Sequence, residues 1–137
     1  MKLLSLAFAL LCLLGLNACK PDKDSSDPSP TTVLGRWQLT QLECYCAPGQ
    51  PTPDEAVEFD AGGNFTFYKN GQVEARGTYQ FTTGAFCGNN SGTPLLSTTA
   101  VFSSYTSGMA YTIEPTRLVL DQGLCMDLPR KTYQRTQ

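Results

Sequence analysis

The stretch Asn64–Phe81, "NFTFYKNGQVEARGTYQF", decides the fold class. Its apolar and aromatic residues alternate with polar ones on both sides of Asn70-Gly71. A period of two puts alternate side chains on one face of a strand. Asn-Gly between two such runs is the strongest short hairpin signal, because a type I′ turn needs positive φ at both central residues. The stretch therefore reads as "NFTFYK", a two-residue turn, and "QVEARGTYQF".

Working outward, the same pattern recurs. Upstream lie "LGRWQLTQLECYC" (Leu34 to Cys46) and "EAVEFD", the latter closed by Ala61-Gly62-Gly63-Asn64. Downstream, the Gly-rich segment "TTGAFCGNNSGTP" reads as a long loop from Thr82 to Thr93. It leads to "LLSTTAVFSS", then "MAYTIE", "RLVLD" and "MDLPRKTYQRT". No stretch keeps a helical period. The expectation is all-β: an antiparallel eight-stranded up-and-down meander that closes into a barrel and so removes its exposed edges. Residues 33–137 amount to one domain.

The N-terminus has a different character. After Lys2, Leu3 to Leu16 is nearly all apolar but shorter than the ~20 residues a membrane-crossing helix needs. A positive start, a short apolar centre and a small residue before a cut describe a secretory signal peptide, residues 1–18. Leu16-Asn17-Ala18-Cys19 resembles the bacterial lipobox. That resemblance implies cleavage before Cys19, a diacylglycerol on its thiol and an acylated amino group, with chains such as palmitate. Residues 19–32, "CKPDKDSSDPSPTT", are charged and Pro- and Ser-rich, so they read as a disordered tether. Lys20 stands where an aspartate would mark inner-membrane retention, which favours the outer membrane, facing the periplasm or the surface.

The order of motifs in residues 34–135 resembles the small bacterial lipocalin-like lipoprotein domains. The matching pieces are Gly35-Arg36-Trp37, Val57/Phe59/Gly63, Gly77 to Tyr79, Leu118/Leu120 and Tyr133/Arg135. The resemblance implies a lipocalin-like barrel that carries a small apolar or amphipathic ligand in a cup. Independently of it, a large ring near a strand start can plug one end of a barrel. A guanidinium from the neighbouring last strand, Arg135, can then stack on Trp37.

Alternation assigns Val57/Phe59, Phe65/Phe67, Tyr79/Phe81, Tyr111/Ile113 and Leu118/Leu120 to the interior. Of these, Phe59, Phe65, Phe67, Tyr79, Phe81, Tyr111 and Ile113 are the candidate ligand contacts. An eight-stranded barrel is either filled by side chains or just wide enough for one small molecule. In the filled case the protein is a surface module for a protein or glycan, with Tyr45, Tyr68, Tyr105 and Asn89-Asn90-Ser91 as candidate contacts. The Pro-rich segment Ala47 to Glu55 reads as a lid beside Tyr45 over the mouth.

Besides Cys19, the exported part carries Cys44, Cys46, Cys87 and Cys125. An even set in an exported chain reads as disulfides. Cys44 and Cys46 share one strand face and join each other only under strain, so each is expected to take a distant partner. Strand direction brings Cys125 beside them, whereas Cys87 falls at the other end unless the segment Thr82 to Thr93 folds across or the strand count is off by one. Cys-x-Cys is neither the zinc knuckle spacing nor the Cys-x-x-Cys redox spacing.

The chain has no histidine and a formal net charge of −2, and it shows no basic cluster. This argues against nucleic-acid binding and removes Ser-His, Cys-His and the commonest zinc ligands. Asp54/Glu55 and Glu58/Asp60 are adjacent carboxylates, read here as solvated strand ends. The expectation is a monomeric, non-catalytic protein without metal or cofactor, partnered by a membrane through its acyl chains and by a small apolar ligand.

Overall fold

A computed structural model describes residues 32–99 and 108–136. The expected signal peptide, Cys19, almost all of the expected tether, Tyr105 and the second half of "LLSTTAVFSS" lie outside the described residues. Eight strands follow in chain order: β1 (Gly35–Glu43), β2 (Glu55–Phe59), β3 (Asn64–Lys69), β4 (Gln72–Phe86), β5 (Asn89–Thr98), β6 (Met109–Ile113), β7 (Arg117–Asp121) and β8 (Arg130–Arg135). Each pairs antiparallel with its sequence neighbours, and β8 pairs with β1, so the meander closes into a barrel. A short 3₁₀ turn, Leu124–Met126, interrupts the β7–β8 connection.

The turns explain the register. Asn70 and Gly71 both have positive φ, 51° and 74°, and Lys69 pairs with Gln72 across them. At the β2–β3 turn Asp60 Oδ1 accepts the Asn64 N–H at 2.8 Å, and Gly63 takes φ 79°. Between β1 and β8 the register slips at Leu39/Gln41, where the Thr40 hydroxyl donates to the Thr132 carbonyl.

Side chains fill the interior. Trp37, Val57, Phe59, Phe65, Leu96, Met109, Leu118, Leu120 and Tyr133 are fully buried, and Val33, Leu39 and Phe67 complete the cluster. Strand phase accounts for this set: register pairs such as Phe59↔Phe65, Tyr111↔Leu120 and Leu118↔Tyr133 stack inward across neighbouring strands.

Two features depart from the sequence reading. The segment Thr82 to Thr93 is not a loop. β4 runs on to Phe86, turns at Cys87-Gly88 with φ 51° and 84°, and returns as β5. This arm carries Cys87 to Cys125, with Cα atoms 5.8 Å apart. The β4–β5 and β7–β8 connections belong to opposite ends of an up-and-down barrel, so the arm must fold across the outer face of β6 and β7. Consistently, Thr93 and Pro94 share a groove of about 470 Å³ with Ala110, Thr112, Val119 and Thr132.

The second departure is the other disulfide. Cys44 joins Cys46, with Cα atoms 5.2 Å apart, and not a distant cysteine. Two residues of extended strand span about 6.6 Å, so closing this pair bends the chain. β1 accordingly ends at Glu43, short of Cys46 where the alternation pattern ran. In the chain-entropy treatment the arm disulfide stabilises by about 4 kcal/mol and the small ring by about 1.6 kcal/mol.

Candidate functional site

The inward face does not stay closed everywhere. Among the described residues β5 and β6 share two register pairs, Leu95↔Ala110 and Leu96↔Met109. One step further, Pro94 stands opposite Tyr111, and proline has no N–H to offer a ladder. β6 continues with β7 alone, over four pairs, while β5 leaves with the arm. The wall therefore parts below Met109, and the inward residues of β4 and β6 at that level are left half open.

These residues are Tyr79, Phe81, Tyr111 and Ile113. With the segment Thr32 to Leu34 they line an open recess of about 460 Å³. Phe81 is 47% exposed, unusual for an inward-phased phenylalanine in a closed barrel. The rings form a continuous wall: Phe59 to Tyr79 at 5.0 Å, Tyr79 to Phe81 at 5.8 Å and Phe81 to Tyr111 at 5.0 Å between centroids. Edge-to-face and tilted contacts of this kind hold aromatic planes in place. The Tyr79 hydroxyl donates to the Asp60 carbonyl at 2.9 Å. Burial, and then the nearby Asp60 charge, raise its phenol above the ordinary value, so it stays neutral and donating at physiological pH.

The opposite rim is held by the buried end of the barrel. Trp37 Nε1 donates to the Val33 carbonyl at 2.7 Å. The Arg135 guanidinium lies 4.1 Å from the Trp37 ring centroid and donates to the carbonyls of Leu34, Thr32 and Pro115. Burial lowers its pKa, yet an arginine keeps its charge. Trp37 and Arg135 thus fix the three residues that face the aromatic wall. The site is apolar, concave and edged by a few oriented polar groups, the usual character of a small-molecule site.

Of the seven candidate contacts, Tyr79, Phe81, Tyr111 and Ile113 meet in this recess. Phe59, Phe65 and Phe67 do not line it: each is buried in the core, and Phe59 only backs the wall from behind Tyr79. The recess also opens at the Trp37 end, not beneath the Pro-rich segment after β1. Alternation could place residues inside, but it could not say which end stays open. That depends on Pro94 and on the path of the arm. The Thr32–Leu34 rim was missed as well; its only sequence signal is Val33-Leu34 directly before Gly35.

At the end that carries the Pro-rich segment, charged side chains enter the interior. Glu55 is in phase with Val57 and Phe59, and Lys131 with Tyr133, so both point inward. Lys131 Nζ meets Glu55 Oε2 at 2.5 Å with both side chains nearly buried, and Nζ lies 5.6 Å from the Phe67 ring centroid. The Tyr133 hydroxyl is buried without a hydrogen-bond partner among the described residues. Burial, and then the charge of Glu55, hold its phenol well above the ordinary value.

The adjacent carboxylates are separately occupied. Asp54 accepts from the Gln38 amide, Glu55 from Lys131, Glu58 from the Tyr68 hydroxyl and Asp60 from Asn64. On the outer face Arg130 bridges Asp121 and Glu43 at 2.8 and 3.5 Å. Comparisons of the chain with protein-family models, with curated proteins and with solved structures found no match.

Proposed function

We propose that the protein is a non-catalytic, lipid-anchored lipocalin-like lipoprotein of the bacterial envelope that binds a small apolar or amphipathic molecule at the Tyr79–Phe81–Tyr111–Ile113 recess. The observation that carries this reading is the half-exposed Phe81 in a continuous aromatic wall. An apolar surface of this shape gains free energy when covered, about 25 cal/mol per Å² of apolar area removed from water. The lipobox-like "LNAC" ending at Cys19 supports the anchor, and the outer membrane is the expected site.

The ligand reading is tested with the chain from residue 19 carrying C19S, purified without detergent and titrated with a fluorescent fatty-acid analogue. Saturable uptake that falls at least tenfold in F81D or Y111D is the expected result. An unchanged affinity in both variants, or no uptake, would remove it. The anchor is tested separately: wild-type protein should fractionate with membranes and carry acyl mass on its N-terminal peptide, and C19S should be released.

A second reading has its own observation. The groove between the arm and the outer face of β6–β8 mixes apolar walls with the charged side chains of Glu43, Asp121 and Arg130, a surface suited to a module that binds a protein or glycan. It takes precedence if the recess takes up no ligand.

A further inference from the structure

The chain enters the barrel at the recess. Thr32, Val33 and Leu34 form one rim of it, and Thr32 is the first described residue. Cys19, the expected anchor, stands thirteen residues earlier, so the chain between them reaches at most ~45 Å even when fully extended. β3 runs from Asn64, at the Asp60 turn beside the recess, to Lys69, a span of about 20 Å. The Asn70-Gly71 turn at the opposite end lies that much further from the anchor. Of the two ends of the barrel, the one that holds the recess is therefore the one kept nearest the membrane.

The two ends differ in chemistry. At the recess end Phe81 is 47% exposed, and Leu34, Tyr111 and Ile113 are partly so. The charged groups there are engaged: Asn64 holds the Asp60 carboxylate, Glu114 pairs with Arg117, and Arg135 is turned onto backbone carbonyls. The opposite end carries Glu43, Asp54, Lys69 and Arg130. The recess is also open on one side. A fatty chain held there in water keeps part of its length wet, and each CH₂ left wet gains nothing from the site. Against a leaflet the open side faces lipid instead, and tyrosine rings such as Tyr79 and Tyr111 suit the headgroup level.

We propose that the recess end of the barrel is seated on the membrane that holds the Cys19 chains, and that its ligand is a phospholipid of that leaflet. One fatty chain lies along Phe81, Tyr111 and Ile113 while the lipid stays in the bilayer. This inference rests on the recess and anchor readings given above, and it names the ligand and its source. The leaflet takes the part of a lid, and the half-open aromatic wall is the face that it covers. A short tether makes this second contact effectively intramolecular, so a modest affinity is enough to keep the barrel seated.

The test reconstitutes the acylated wild-type protein, F81W and V73W in phosphatidylcholine vesicles with and without brominated fatty chains, which quench tryptophan on contact. Val73 is 46% exposed beside the Asn70-Gly71 turn at the far end, and Trp37 is a background common to all three. Beyond that background F81W should be quenched several-fold more than V73W, and adding I113D to F81W should remove the excess with the far-ultraviolet circular dichroism unchanged. Equal quenching of F81W and V73W, or an unquenched F81W, would overturn the proposal. An F81W that is blue-shifted yet unquenched would assign the recess to the chain's own acyl groups and would overturn it as well. Titration of C19S with the fatty-acid analogue separates the readings. Uptake in solution with F81W unquenched on vesicles leaves the recess reading standing and removes this one. A wild-type chain without acyl mass would remove the anchor and this proposal with it.

Discussion

The guanidinium of Arg135 lies 4.1 Å above the centroid of the Trp37 indole and reaches past it to the carbonyls of Leu34 and Thr32. One residue of the last strand therefore ties β8 to the chain before β1, stacks on the barrel's largest buried ring and positions the recess rim. A charge-assisted hydrogen bond contributes about 1.5–3 kcal/mol, and the stacked cation about 1 kcal/mol. R135A should lower the unfolding free energy in urea by about 2–4 kcal/mol. R135K should recover little of this, because an ammonium cannot span three carbonyls and stack as well. A change under 0.5 kcal/mol in R135A would mean the stack is incidental.

Tyr133 offers the reverse case. Its hydroxyl is buried, has no partner among the described residues and is held well above the ordinary phenol value by burial and by Glu55. An unsatisfied buried hydroxyl costs about 1–3 kcal/mol, so Y133F should raise stability by about 1 kcal/mol at neutral pH. The raised folded value gives a contribution that is fully present below the unfolded value, about 10. It is lost as pH rises through the folded value, because only the unfolded phenol ionises freely in between. Wild type should lose stability above about pH 10 more steeply than Y133F, measured by urea midpoints across pH 9–12.

The Glu55–Lys131 pair should behave as a unit. E55Q and K131M each leave one nearly buried charge uncompensated and should cost about 3 kcal/mol. The double change E55L/K131M should cost clearly less than the sum of the singles. An additive cycle would show that the two groups are solvated independently.

Asp121 caps the turn that carries Cys125. Partial burial alone would raise its carboxyl. The Leu124 N–H, the Arg130 guanidinium and the Gly123 N–H outweigh this and hold it below the ordinary value. A lowered folded value gives stability that is present above the unfolded value, about 3.9, and lost as pH falls through the folded one. D121N should therefore flatten the acid limb of the stability profile below about pH 4. An acid limb identical to wild type would refute the assignment.

The eight strands and their closure were legible because side-chain phase and turn chemistry agree locally. Asn70-Gly71 sets one hairpin, and Trp37 and Arg135 face each other once β8 lies beside β1. The interior set was legible for the same reason, and so were the four aromatic and aliphatic residues of the recess. Three things were not. The Cys44–Cys46 ring defeats a rule about extended strands by bending the strand, which no periodicity records. The arm looks like a loop because Gly84, Gly88 and Gly92 break its pattern, although pairing across Cys87-Gly88 makes it a hairpin. The open end of the barrel is set by the ladder ending at Pro94, a tertiary event with no local signature.

Core and recess should also part company on mutation. Phe59 is fully buried, and F59A should cost about 3–5 kcal/mol. Phe81 is about half exposed, and F81A should stay within about 1 kcal/mol of wild type in urea unfolding. Comparable losses would mean that Phe81 is a core residue in solution.

That difference makes F81D the sharpest probe of the recess. The decisive measurement is native mass spectrometry of the C19S chain, recovered from envelope extract without detergent, for wild type and F81D side by side. The account predicts co-purified apolar mass on wild type that leaves on denaturation and is absent from a folded F81D. A wild-type protein that carries no such mass and takes up no added fatty acid would contradict it.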